Sequence, residues 1–197
     1  MSNPKILVFA ASTRTGSYNA QLAEVVSRRL EAAGAEVTRL NLADYPLPIY
    51  EGDLEAELGI PENAQRLHEL LRTHDGVFLA SPEYNAFVSP LLVNVLTWVS
   101  RVADHGGIPA AFGRPVFASG SASPGGFGGY RGLMALRQPL ELQFQARVLP
   151  GMVSVGAAHQ AFDENGELAS VGTSKLVDGL VASLLAAAQP ARELVTA

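Results

Sequence analysis

The run Lys5-Ile-Leu-Val-Phe-Ala10 is apolar at every position after the lysine, and a polar loop and an amphipathic stretch follow it at once. An apolar run of strand length without alternation describes a strand covered on both faces, as in parallel sheets sandwiched between helices. The same unit recurs along the chain. Tyr18 to Gly34 carries Leu22, Val25, Val26 and Leu30 on one face of a helix, with Gly34 placed to end it. Further strands are expected at Glu36 to Leu42, Asp75 to Ala80, Pro115 to Ser119 and Val148 to Val155. Helices are expected from Pro61 to Thr73, Pro90 to Arg101, Tyr130 to Gln145 and Ser170 to Ala188, with Pro139 set to kink or shorten the third. Tyr45 to Tyr50 holds two prolines and Asp104 to Arg114 three glycines and a proline, so both read as irregular connectors. Strand alternating with helix in this way implies parallel strands joined by right-handed crossovers, hence an α/β fold. No linker or repeat divides the chain, so residues 1–197 read as a single domain.

Composition narrows the function classes. Hydrophobic residues make up 48% and charged residues 17%, enough apolar material for a packed core. The net charge is −5 and no basic run occurs, so a nucleic-acid partner is not expected. There is no cysteine, which excludes disulfides, thiol catalysis and iron–sulfur ligation. The apolar runs are too short for a signal-peptide core or a membrane span. A soluble, cytoplasmic protein with no membrane partner is the expectation. The four histidines show no metal-ligand spacing, and His68 and His74 are expected in solvent.

Three loops at strand ends carry unusual chemistry. In α/β sheets such loops converge on a ligand at the carboxyl ends of the strands. The first, Ala11 to Asn19, offers hydroxyls from Ser12, Thr13, Thr15 and Ser17, the amide of Asn19 and the charge of Arg14 at a helix N-terminus. That combination suits a phosphate and exceeds what one helix cap needs. The chain has no Gly-Lys pair for a nucleoside-triphosphate loop and no G-x-G-x-x-G after the first strand, so a monophosphate fits best. The second loop, Ser81-Pro-Glu-Tyr-Asn85, offers a ring face and an amide that suit a flat heteroaromatic ligand, although its composition is also that of a plain turn. The third, Ser119 to Gly129, is glycine-rich, and its small residues let backbone amides approach a planar ring; its composition equally suits a mobile surface loop.

In this order and spacing the loops resemble the NADPH-dependent FMN reductase family, which includes chromate, quinone and azo-dye reductases. Three blocks carry the resemblance: Ser12-x-Arg14-x-x-Ser17-x-Asn19; Pro82-Glu-Tyr-Asn85 through Trp98 and Arg101; and Ser119 through the glycine run to Arg131 and Arg137. The resemblance implies a flavodoxin-like three-layer sandwich around a five-stranded parallel sheet of strand order 2-1-3-4-5. It implies FMN as bound cofactor, its phosphate held by Ser12, Arg14, Ser17 and Asn19, with Tyr18 among the cofactor-binding residues. Its ring would be lined by Pro82, Glu83, Tyr84 and Asn85 and by Ser119 and Gly120. NADPH or NADH would then be a substrate, and a hydride would pass through FMN to a small acceptor such as a quinone, free flavin, azo compound or chromate. No side chain is implied as a catalytic nucleophile or obligatory acid. A homodimer or homotetramer is implied, with Trp98 and Arg101 facing a partner subunit. Ala11 stands where the family has glycine, Leu91 and Val93 replace a frequent glycine and lysine, and Thr97 replaces a frequent aspartate. These changes make the ring-side helix more apolar.

Two other readings remain open at this level. One is a flavodoxin-type electron carrier or FMN-binding protein without pyridine-nucleotide activity. The other is a hydrolase, because Ser121-Ala-Ser-Pro-Gly125 lies one residue from the G-x-S-x-G nucleophile elbow and His159 lies downstream.

Overall fold

A computed structural model describes residues 3–188. Five parallel strands form its main sheet: β1 (Lys5–Ala10), β2 (Glu36–Leu40), β3 (Gly76–Ala80), β6 (Val116–Ala122) and β7 (Arg147–Val155), in the order β2-β1-β3-β6-β7. That is the expected 2-1-3-4-5 order of a flavodoxin-like fold, with β6 and β7 as the fourth and fifth strands. Between β3 and β6 stands a separate two-stranded hairpin, β4 (Glu83–Tyr84) and β5 (Phe87–Val88).

Helices α1 (Tyr18–Ala32) and α6 (Val171–Ala187) cover one face of the sheet. Helices α3 (Glu62–Thr73), α4 (Pro90–Ser100) and α5 (Tyr130–Gln138) cover the other. A short helix, α2 (Gly52–Leu58), lies outside them. The central strands β1 and β3 are buried on both faces, which is why their sequences do not alternate. Ile6, Val8 and Phe78 face α1 and α6, while Leu7, Phe9, Val77 and Leu79 face the opposite layer.

Local signals set the helix ends. Ser17 caps α1 by accepting from the Ala20 amide at 3.3 Å. Gly34, at φ +89°, closes α1 with the Ala35 amide bonded to Leu30 O and its own amide to Glu31 O. This double bond pattern is the Schellman termination. Ser89 caps α4, with Pro90 at its first position. Pro139 ends α5 at Gln138, where the sequence pattern suggests a helix to Gln145; a wide turn occupies Pro139–Gln143.

Four other expectations are corrected. The fourth strand continues past Ser119 to Ala122, so Gly120 to Ala122 lie inside the sheet and not in a loop. A Cβ on Gly120 would lie 3.0 Å from the Phe78 ring and 3.1 Å from Leu22, so the small residues there mark close packing and not flexibility. The 81–88 segment is a hairpin and not a simple turn. His68 and His74 are buried: His68 Nε2 lies 2.9 Å from Gly107 O, and the His74 ring bridges Leu70 O and Thr38 Oγ1. Trp98 is fully buried within its own chain; its indole donates to Pro48 O at 2.8 Å and its ring meets Tyr50 edge-on. Arg101 pairs with Glu55 of α2 at 2.9 Å. These two residues anchor the Tyr45–Tyr50 connector and α2; Trp98 is closed off within its own chain, while the Arg101 side chain stays half exposed.

Candidate functional site

The ends of β1, β3 and β6 open into a cavity of about 340 Å3. One wall is the β1–α1 loop, contributing Ser12, Arg14, Ser17, Tyr18 and Asn19. The facing wall is Pro82, Glu83 and Tyr84 from the hairpin, with Ala122, Ser123 and Pro124 from the end of β6.

The first wall presents donors toward an anion. Gly16, at φ +67°, turns the loop so that the helix N-terminus points into the cavity. The amides of Thr15, Gly16, Tyr18 and Asn19 have no acceptor among the described residues. Helix N-termini leave such groups unpaired and carry partial positive charge. The Arg14 guanidinium donates to Gly16 O at 3.2 Å and stands 5.5 Å over the Tyr18 ring, with no carboxylate partner among the described residues. Its remaining donors are therefore available to a phosphate. Ser17 uses its oxygen lone pair on the cap and keeps its hydroxyl proton to donate.

Asn19 behaves differently from the expectation. Its side chain donates to Ala122 O at 3.0 Å and accepts from the Ala122 amide at 3.0 Å, with only 3% of the residue exposed. It borders the cavity, but its amide is spent on bolting α1 to the end of β6. Glu83 is likewise committed. Its carboxylate accepts from Arg131 Nε at 2.9 Å, from Arg131 Nη2 and from the Gly132 amide at 3.1 Å. Burial alone would raise its pKa, but the hydrogen bonds from Arg131 and Gly132 outweigh that and hold the group below the ordinary carboxylate range. Tyr84 and Asn85 are exposed at the hairpin tip; Tyr84 lines the cavity and Asn85 does not. Ser119 and Gly120 are buried in β6, and the cavity is met instead by Ala122 to Pro124. The residue where the fourth strand stops is the signal for these three, and the small side chains of β6 hid it.

The residues fit a flavin mononucleotide. There is a free cation with unpaired amides at one end, and a half-open slot bounded by a proline and a tyrosine at the other. The hydrolase reading does not fit. Ser123, at the serine position of the near-elbow, follows the end of β6, but α5 begins only at Tyr130 and His159 is exposed, so no strand-to-helix elbow presents it. The fold is that of a flavodoxin-like α/β protein, with a cavity suited to a mononucleotide at the strand ends.

Comparison with known proteins names the family. Residues 4–160 match the model of the NADPH-dependent FMN reductase family. A quinone reductase of Escherichia coli is 36% identical over 137 residues, covering 69% of each chain. An NAD(P)H-dependent FMN reductase of Pseudomonas aeruginosa is 33% identical over 165 residues, covering 83% of this chain and 84% of its own. The solved structure of FerB, a flavoenzyme NAD(P)H:(acceptor) oxidoreductase from Paracoccus denitrificans, superposes with a TM-score of 0.71 at 25% identity, covering 94% of this chain and 97% of its own. The chain belongs to the NADPH-dependent FMN reductase family, and is an oxidoreductase that uses FMN with NAD(P)H.

Proposed function

We propose that this protein is an FMN-dependent NAD(P)H:quinone reductase with its site in the β1/β3/β6 cavity. The observation that supports this most is the unpaired Arg14 beside the free amides of the α1 N-terminus, facing a slot open to solvent. Ser12, Arg14 and Ser17, with the amides of Tyr18 and Asn19, hold the phosphate. Pro82 and Tyr84 border one side of the ring and Ala122 to Pro124 the other. When bound, FMN supplies the two-electron chemistry between nicotinamide and acceptor. The protein binds and orients it, and leaves one face open for nicotinamide and acceptor in turn. No acid, nucleophile or metal is needed from the side chains, and no cluster of metal-binding side chains occurs among the described residues.

The same reading gives a homodimer. Phe87, Val93 and Leu142 are exposed around an apolar groove of about 570 Å3 that also takes in Val88, Leu96 and Phe144. Exposed apolar patches of this kind mark association surfaces, and this one adjoins the hairpin at the site. Val93, where the family often has lysine, contributes to that apolar surface. We read residues 1–197 as a single domain, since both cores share one sheet. A cysteine-free chain without a helix long and apolar enough to cross a membrane, among the described residues, suits the cytoplasm.

The test is the visible spectrum of the purified protein supplied with FMN, before and after anaerobic addition of NADPH or NADH. The flavin absorbance is expected to bleach and to return on adding a benzoquinone. Bound flavin that stays oxidised with both nucleotides overturns the reductase reading and leaves a flavin carrier.

A further inference from the structure

The hairpin at the ring side cannot hold its own shape. It has two residue pairs, Glu83 with Val88 and Tyr84 with Phe87, joined by a turn in which Asn85 and Ala86 both take positive φ, 54° and 59°. A two-stranded ribbon this short has no independent stability in water. Helix α5 has a matching deficiency. It starts after Gly129, at φ 86°, with no side-chain cap of its own. A Cβ at Gly129 would lie 1.8 Å from Ser121 Oγ, so no capping side chain can stand there.

Each deficiency is met by the other element. Glu83 Oε2 accepts from the Gly132 amide in the first turn of α5, so a hairpin carboxylate does the work of the missing cap. Arg131, also from that turn, returns to the same carboxylate through Nε and Nη2, and its guanidinium covers the Phe127 ring at 4.8 Å. The Glu83 side chain is only 8% exposed while that of Arg131 is 53% exposed, so the pair is shielded from water at its carboxylate end. Gly132 permits the approach: a Cβ there would lie 3.1 Å from both Glu83 Cβ and Phe87 O. Hairpin, glycine-rich loop and α5 thus meet at one carboxylate.

We propose that Glu83 and Arg131 form a positioning pair that holds the ring-side wall of the flavin site, setting Pro82 and Tyr84 against the ring without touching the phosphate. This rests on the FMN site proposed above. It assigns Glu83 a role through Arg131 and α5 and not through direct contact of its carboxylate with the ring.

The test compares two probes, FMN and riboflavin, which share the ring and differ in the phosphate. Glu83→Gln keeps shape and loses charge; Arg131→Leu leaves Glu83 on the Gly132 amide. Each variant is expected to weaken riboflavin and FMN by the same factor, about tenfold, the scale of one lost charged hydrogen bond. The double variant is expected to lose little more than either single one. The visible band of the bound ring should also move toward that of free flavin, a signature that a general loss of stability would not produce. Unchanged riboflavin affinity in both variants, or a loss confined to FMN, overturns the pair's role while leaving the FMN site intact. Wild-type protein that binds neither probe overturns both proposals.

Discussion

The two walls of the cavity are built by different means. The wall proposed for the phosphate is one contiguous loop, Ser12 to Asn19, held by bonds that close within a few residues: Ser17 to Ala20, Ser17 to Arg14 and Arg14 to Gly16. The wall proposed for the ring is assembled from segments far apart in sequence, with Glu83 reaching Arg131 and Gly132, and Ser154 Oγ donating to Phe127 O at 2.7 Å. A contiguous wall needs only the right local residues at the right helix end. An assembled wall needs its anchors, and fails when any one is lost. Asn19 spans the two, binding the start of α1 to the end of β6.

Asn19→Leu therefore strikes the comparison hardest. It leaves the amide and carbonyl of Ala122 buried without partners, at a cost of about 3 kcal/mol. Urea unfolding should show that loss, with weaker binding of both FMN and riboflavin because both walls shift. A change in stability of less than about 1 kcal/mol would mean the walls are held independently of this side chain. Arg14→Leu acts on the contiguous wall alone. FMN affinity should fall roughly 30-fold for one charge-assisted contact, while riboflavin affinity stays level. Parallel loss of both ligands would show that the loop also supports the ring, and the distinction between the walls would collapse. Ala86→Gly is the mildest. Ala86 occupies a left-handed position at which paired-strand turns favour glycine. Relieving it should stabilise the protein by about 0.5 kcal/mol, raising the melting temperature by roughly 1–2 °C. A lowered melting temperature would show that the hairpin anchors already absorb the strain.

The same contrast explains what could be read from the residues. The alternation of strands and helices, the donor-rich loop at the start of α1 and the end of α1 at Gly34 follow from local signals: apolar runs, helix-end chemistry and glycine at positive φ. The ring wall was legible only through family resemblance, and its residues needed sorting. Gly120 looks like a loop residue by composition, yet packing against Phe78 and Leu22 makes it strand. His68, His74 and Trp98 were misplaced for a related reason. Each meets at least one ring nitrogen with a backbone or side-chain group more than thirty residues away, and no local pattern encodes such a partner.

The sequence by itself determined the parallel α/β layering and the cluster of donors at the start of α1, because both depend on periodicity and on residues adjacent in the chain. The tertiary structure alone decided what Glu83 and Asn19 do. Both carry groups suited to a ligand, and both spend them on partners distant in sequence, Asn19 on the Ala122 backbone and Glu83 on Arg131 and the Gly132 amide, because burial demands a partner for every polar atom it takes from water. Whether a polar side chain faces a ligand or the fold is a question of which partner comes within 3 Å or so, and only the folded chain answers it.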